Sequence, residues 1–221
     1  MTIHVHVLHP GEIRADLRSL NEGEIARAAA FRSEEDARHW TACRNGLRTV
    51  LGRVLSLPPA EVPLETGPGG KPCLAAPFAD THFNLSHCRD LALVAVAPFP
   101  VGIDVEPEKR ARDLLGCEES FCHPQEIAAL PEDEFMRAAV LLEIWIAKEA
   151  LLKSHGSGLL TPPESVAVNL ADPSGRARFH PELTSQHIHR LMHPSLRRHC
   201  AFISSEHPFP DIIYHTEIQA P

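Results

Sequence analysis

Apolar and polar residues alternate over residues 3–8, Ile3-His-Val-His-Val-Leu8, which is the period of a half-buried strand. From Glu24 the period becomes helical. A first segment covers Glu24–Phe31, and a longer one follows Ser33-Glu34-Glu35-Asp36, a cap with acidic residues in the first turn. Leu47, Val50, Leu51, Val54 and Leu55 recur at i, i+3, i+4, i+7 and i+8 and mark one buried face of that helix. Leu57-Pro58-Pro59 ends it. Gly67-Pro68-Gly69-Gly70 predicts a loop, with Lys71-Pro72 directly after it.

Leu91–Ala97 is apolar throughout and predicts a buried strand, Pro98-Phe99-Pro100 turns the chain, and Val101–Glu106 alternates, so the two read as a strand pair. One or two helices cover 110–130. A long helix runs from about Glu132 to Ser154 and stops at His155-Gly156-Ser157-Gly158. Short strands are expected over 164–170, 176–180, 186–192, 199–204 and 212–218. Helix-then-strand order thus occurs once on each side of 98–100. It predicts an α+β fold of two similar α/β halves, residues 1–100 and 101–221.

Composition narrows the function classes. A chain of 221 residues, 43% hydrophobic and 23% charged, builds a sizeable core, and the charge of −8 argues against a broad nucleic-acid-binding surface. No apolar run nears the roughly 20 residues that span a bilayer, and the first residues lack the basic and apolar regions of a signal peptide. A cytoplasmic protein with no membrane partner is expected. The six cysteines form no CxxC pair, and Cys117, Cys122 and His123 lack the spacing of a closed four-ligand zinc site, so free thiols are expected. Of the basic residues only Lys71, Lys109, Lys148 and Lys153 are lysines, and three of the four fall inside the segments considered next. Lysine is a compact charge suited to a phosphate oxygen or a proton transfer.

On a strand, Val101, Ile103 and Val105 point to one face, while Gly102, Asp104 and Glu106 point to the other, with the glycine leaving space beside two acids. Taken alone this pattern fits a solvated face with two acids as well as a Mg²⁺ site, since Mg²⁺ takes oxygen ligands together with phosphate and water. In Trp145-Ile-Ala-Lys148-Glu149-Ala-Leu-Leu-Lys153, Glu149 and Lys153 are i, i+4 neighbours. A surface ion pair would explain them equally. The surrounding apolar residues, however, imply partial burial and hence a partner for the charges. Phe83-Asn84-Leu85-Ser86-His87 and Gly70-Lys71-Pro72 are each weak signals alone.

In this order and spacing, GKP at 70–72, FNLSH at 83–87, VGIDVEP at 101–107 and WxxKEAxxK at 145–153 resemble the signature of 4′-phosphopantetheinyl transferases, in the longer Sfp-like form. The resemblance implies two pseudo-symmetric α/β halves with the active site in the cleft between them. It implies coenzyme A as co-substrate and Mg²⁺, or Mn²⁺ in its place, on Asp104, Glu106 and Glu149. Lys71, Pro72, Ser86 and His87 would meet coenzyme A, Lys148 and Lys153 its pyrophosphate, and Arg48, with Arg44 or Arg32, the nucleotide. Glu149, Lys148 and Lys153 would be catalytic, Glu149 taking the proton of the attacking serine. The partner would be an apo acyl or peptidyl carrier protein met by a monomeric enzyme, with Arg176–Arg178 and Arg197-Arg198 as basic patches toward it. Two other readings are a Mg²⁺-dependent phosphodiesterase or nucleotide hydrolase using the same carboxylates, and a coenzyme A-binding module without catalysis, against which the intact Asp104, Glu106, Glu149 and Lys153 set weighs.

Overall fold

The computed structural model describes residues 1–156, 160–170, 177–178, 183, 185–208 and 210–216. The chain begins with β1 (Thr2–Leu8), where alternate side chains are buried as the sequence pattern requires. Helix α1 (Glu22–Ala29) opens on a capping box in which Asn21 and Glu24 satisfy each other's backbone amides. Helix α2 (Glu34–Leu55) is capped by the Ser33 side chain and carries Glu34, Glu35 and Asp36 at the positive end of its dipole. Two three-residue strands, β2 (Leu64–Thr66) and β3 (Pro72–Leu74), pair across the glycine loop. Then come β4 (His82–His87), β5 (Ala92–Ala97) and β6 (Val101–Pro107).

In the second half the region 110–130 holds a 3₁₀ segment, Glu108–Leu114, and a short helix α3 (Pro124–Ala128). Helix α4 (Glu134–His155) follows, capped by Asp133 and ended by Gly156 in the left-handed conformation, φ 83°. The remaining strands are β7 (Ala167–Val168), β8 (Ala177–Arg178), β9 (His187–Arg190), β10 (His199–Ser205) and β11 (Asp211–His215). Positions 157–158 of the expected helix stop, 176 and 179–180 of one expected strand and 217–218 of another lie outside the described residues.

One sheet has the order β11-β1-β5-β4 and a second the order β6-β10-β9. Strands β5 and β6, expected to pair, therefore belong to different sheets. Pro98-Phe99-Pro100 carries the chain from one layer to the next, and β6 takes β10 as its ladder partner. The sheets face each other across an apolar layer of Ile3, Val5, Leu93, Ala95, Ile103 and Ile203. Outside the first sheet, Leu47, Val50 and Leu51 of α2 pack on Val94, Val96 and Phe83. Outside the second, Leu141, Ala147 and Leu151 of α4 pack on Ile188, Cys200 and Phe202. The architecture is α+β in four layers, helix–sheet–sheet–helix. The last strand, β11, runs parallel to β1, so a segment from the far end of the chain completes the first sheet.

Strands β4 and β6 are both sheet edges and lie side by side without forming a ladder. An edge strand leaves every second amide unpaired. Along β6 the amide of Ile103 donates to Asn84 Oδ1 (2.8 Å) and that of Val105 to Ser86 Oγ (3.3 Å). Lys71 Nζ donates to the carbonyls of Val101 (3.0 Å) and Lys153 (2.7 Å), tying the glycine loop to β6 and to the last turn of α4. The polar residues of FNLSH and the lysine of GKP thus join the two sheets. This seam positions the site.

Candidate active site

Three elements converge at the seam. A cavity of about 250 Å³ is lined by Ser86 and His87 of β4, Asp104 and Glu106 of β6, and Trp145, Glu149 and Lys153 of α4. The helical period accounts for the α4 set, because residues 145, 149 and 153 recur every fourth position on one stripe. The strand period accounts for the β6 set, since Asp104 and Glu106 share the face that α4 covers. Gly102 lies on that face too. The space it was expected to leave beside the acids is filled by the helix itself: a Cβ built there would stand 2.0 Å from the Ala150 carbonyl oxygen and 2.2 Å from the Ser154 nitrogen. Glycine here sets how closely β6 and α4 approach.

Asp104 is 5% exposed, and its Oδ1 accepts from Lys153 Nζ and from Ser86 Oγ, both at 2.6 Å. Glu106 accepts from Arg110 at 2.8 Å. The carboxylate of Glu149 has no hydrogen bond among the described residues. Burial raises its pKa, Lys153 opposes that, and Asp104 and Glu106 add to the rise. Glu106 is raised as well, first by burial, with Arg110 opposing and Asp104 adding. His87 stands at the cavity rim with part of its ring in solvent. Crowding by protein atoms, then repulsion from His39, Lys153 and Arg44, lowers it to about 4, so it is neutral at ordinary pH.

Three hard oxygen donors, one of them unpartnered and two held above their usual range by mutual repulsion and burial, fit a small divalent cation such as Mg²⁺. The clusters among the described residues whose ligand atoms all fall within 4.8 Å of one another are two others, His39–Cys43–His87 and Cys88–Asp90–His199. The acids are therefore grouped in one cavity but not drawn in to a common centre, with Asp104 held by Lys153 and Glu106 by Arg110.

Three expected site residues are spent on the scaffold. Lys148 is about 100° round α4 from Glu149 and points into the opposite core. It is 1% exposed, and its Nζ donates to Glu126 (2.6 Å) and to the carbonyls of Phe121 (2.7 Å) and Pro163 (3.0 Å). It is neither a pyrophosphate ligand nor a catalytic group in this arrangement but one half of a buried ion pair. Replacing it with methionine is expected to cost about 3–5 kcal/mol, because the Glu126 carboxylate is left charged without its partner. Thermal or denaturant unfolding reads this loss, and adding Glu126→Gln should recover part of it. Arg48 is also 1% exposed and is consumed by Glu24 (2.7 Å) and by the carbonyls of Pro59 and Val62, so it does not reach a nucleotide. The ammonium of Lys71 is engaged by the two carbonyls named above rather than directed at a ligand, and burial lowers it to about 8.

Arg44 and Pro72 line a separate cavity of about 680 Å³ with Trp40, Arg27, Thr66 and Gly70, which also carries Glu22 and Glu65. The guanidinium of Arg44 lies 5.1 Å from the Trp40 ring centroid, and its Nε stands 3.4 Å from Glu24 Oε1, an ion pair without an aligned hydrogen bond. Arg32 is exposed on the turn before α2.

Sequence reasoning missed the structural part of Asn84, the Glu106–Arg110 pair and the place of Trp145 in the cavity wall. Each had a signal. Asn84 and Ser86 alternate with Phe83 and Leu85, Arg110 follows Glu106 by four residues, and Trp145 shares the stripe of Glu149.

Residues 100–204 match the family model described as the 4′-phosphopantetheinyl transferase superfamily, and residues 9–99 match that of the 4′-phosphopantetheinyl transferase N-terminal region. The 4′-phosphopantetheinyl transferase HetI of Nostoc sp. is 34% identical over 163 residues, covering 71% of this chain and 68% of HetI. The 4′-phosphopantetheinyl transferase Sfp of Bacillus subtilis is 31% identical over 141 residues, covering 63% of this chain and 62% of Sfp. A phosphopantetheinyl transferase of Thraustochytrium sp. is 28% identical over 210 residues, 87% of this chain and 72% of that protein.

Proposed function

The chain belongs to the 4′-phosphopantetheinyl transferase superfamily, in its Sfp-like type, and from that membership we propose that it moves the 4′-phosphopantetheine arm of coenzyme A onto a serine of an apo acyl or peptidyl carrier protein. Adenosine 3′,5′-bisphosphate leaves. The observation that carries the reading is the single cavity in which Asp104, Glu106, Glu149 and Lys153 stand with Ser86 and His87.

Asp104, Glu106 and Glu149 would hold Mg²⁺, or Mn²⁺ in its place. The ion would supply positive charge to neutralise pyrophosphate oxygens. The chain's own residues do the rest. The carrier serine oxygen forms a bond to the β-phosphorus of coenzyme A while the bond to the bridging oxygen of the bisphosphate breaks. The serine proton passes to a Glu149 carboxylate oxygen, which carries no hydrogen bond of its own among the described residues. Lys153, held beside the acids by Asp104, offers its ammonium to the charge left on the departing phosphate. Ser86 and neutral His87 line the same wall and would donate hydrogen bonds to phosphate oxygens. Arg44, over the Trp40 ring and paired with Glu24, lines the separate cavity with Pro72, and the two are the proposed neighbours of the nucleotide end.

The two halves are proposed to divide at residue 100, with the first on the coenzyme A side and the second supplying the metal site and the α4 residues. A monomer in the cytoplasm, serving polyketide, nonribosomal peptide or fatty acid synthesis, completes the proposal. No helix among the described residues is long and apolar enough to cross a membrane. Arg197 and Arg198 are exposed and remain candidates for contact with an acidic carrier, whereas Arg176 lies outside the described residues.

Incubation with coenzyme A, Mg²⁺ and several apo carrier proteins, followed by mass measurement of the carriers, tests the activity. A gain of one phosphopantetheine is expected. Coenzyme A breakdown with no gain on any carrier would replace the proposal with a hydrolase, and neither change would leave a binding module.

A further inference from the structure

Helix α2 carries His39 and Cys43 one turn apart, facing the end of β4 where His87 stands. Cys43 Sγ lies 3.6 Å from His39 Nε2, and the His39 and His87 rings meet edge to face with centroids 5.3 Å apart. All three ligand atoms fall within 4.8 Å of one another. The Sγ–Nε2 separation is about the edge of a tetrahedron around an ion with bonds of about 2.0–2.3 Å, and His87 needs only to close in from within 4.8 Å to complete three corners. The imidazole–thiolate set selects a borderline transition metal over Mg²⁺ or Ca²⁺, which prefer oxygen.

We propose that His39, Cys43 and His87 form a second metal site, distinct from the three acids, that takes a Zn²⁺-class ion and clamps α2 to the end of β4. The fourth position opens toward a cavity of about 530 Å³ lined by Asp36, Arg38, Cys88 and Arg89, where water or an anion completes the tetrahedron. An ion that binds here takes Cys43 as thiolate, so the thiol proton passes to solvent as the metal–sulfur bond forms. Because His87 also lines the acid cavity, an ion here would fix the one imidazole the two places share.

Cobalt(II) titration of the full chain, followed by the near-ultraviolet thiolate-to-cobalt charge-transfer band and by the melting temperature, tests the site without reference to transfer activity. The band is expected at one equivalent, with a metal-dependent rise in melting temperature. Cys43→Ser should abolish the band. His39→Gln, at a partly exposed position, should weaken binding by at least about tenfold. Absence of a band from the wild-type chain overturns the assignment, as does a band that survives Cys43→Ser. In the latter case its loss in Cys88→Ser would move the ion to Cys88, Asp90 and His199.

Discussion

Glu149→Gln is expected to lower phosphopantetheine transfer by at least about 10²-fold while leaving the fold intact, the scale seen when a general base or a charge-stabilising group is removed. The substitution keeps the shape of the side chain and takes away only its charge and basicity. It also separates a chemical role from a structural one by the sign of a second measurement. The folded pKa of Glu149 is raised by burial and by its acidic neighbours, so above that pKa the ionised carboxylate works against folding. That penalty disappears as pH falls below the ordinary glutamate range. At neutral pH without metal, Glu149→Gln should therefore melt no lower than the wild type. A variant that loses transfer and also loses stability would point to a scaffold role instead. Asp104→Ala should lose activity to a similar extent, but it is the less discriminating change, because it also frees Lys153 and Ser86 from their shared acceptor.

Gly102→Val is expected to destabilise the protein by more than about 4 kcal/mol or to prevent folding, the range reserved for forced overpacking at a closed contact. All three atoms that would collide with the new Cβ belong to the α4 backbone, so no side chain can swing aside to relieve them. Relief requires β6 to move away from α4, and that movement would also part Asp104 and Glu106 from Glu149 and Lys153. Denaturant unfolding measures the effect. Gly11→Ala is a suitable comparison, since nothing lies within 4 Å of a Cβ built there, and it should change stability by less than about 0.5 kcal/mol. Wild-type-like stability for Gly102→Val would mean that the strand and helix do not touch as described.

The two long helices were readable to within about two residues, because the Ser33 cap and an apolar stripe mark α2 and the glycine stop marks the end of α4, whereas the Asp133 cap that starts α4 went unread. The alternation over 101–106 was equally direct, and it put the two acids on one side. Short elements were not readable. Three-residue strands such as Leu64–Thr66 and Pro72–Leu74 hold too few residues for a period to show. The pairing of β5 with β6 misled because nearness in sequence does not reveal a change of layer; the proline-bounded turn looks the same in either case. Adjacent motif residues misled for a related reason. Lys148 and Glu149 are neighbours in the chain but stand about 100° apart round the helix, and only the packing of the helix determines which reaches the cavity. Arg48 and Lys71 show that a cation near a site can be spent on the scaffold, a fact set by partners as distant in sequence as Glu24 and Lys153.

The place of β11 bears on how the molecule is made. Its partner β1 spans Thr2–Leu8, whereas β11 itself is Asp211–His215, so the outermost rung of the first sheet must wait until nearly all of this sequence has left the ribosome. Contacts of such span are entropically slow to form. Until then the outer side of β1 is an unpaired margin, and the newborn chain is most prone to stick to its neighbours during that interval.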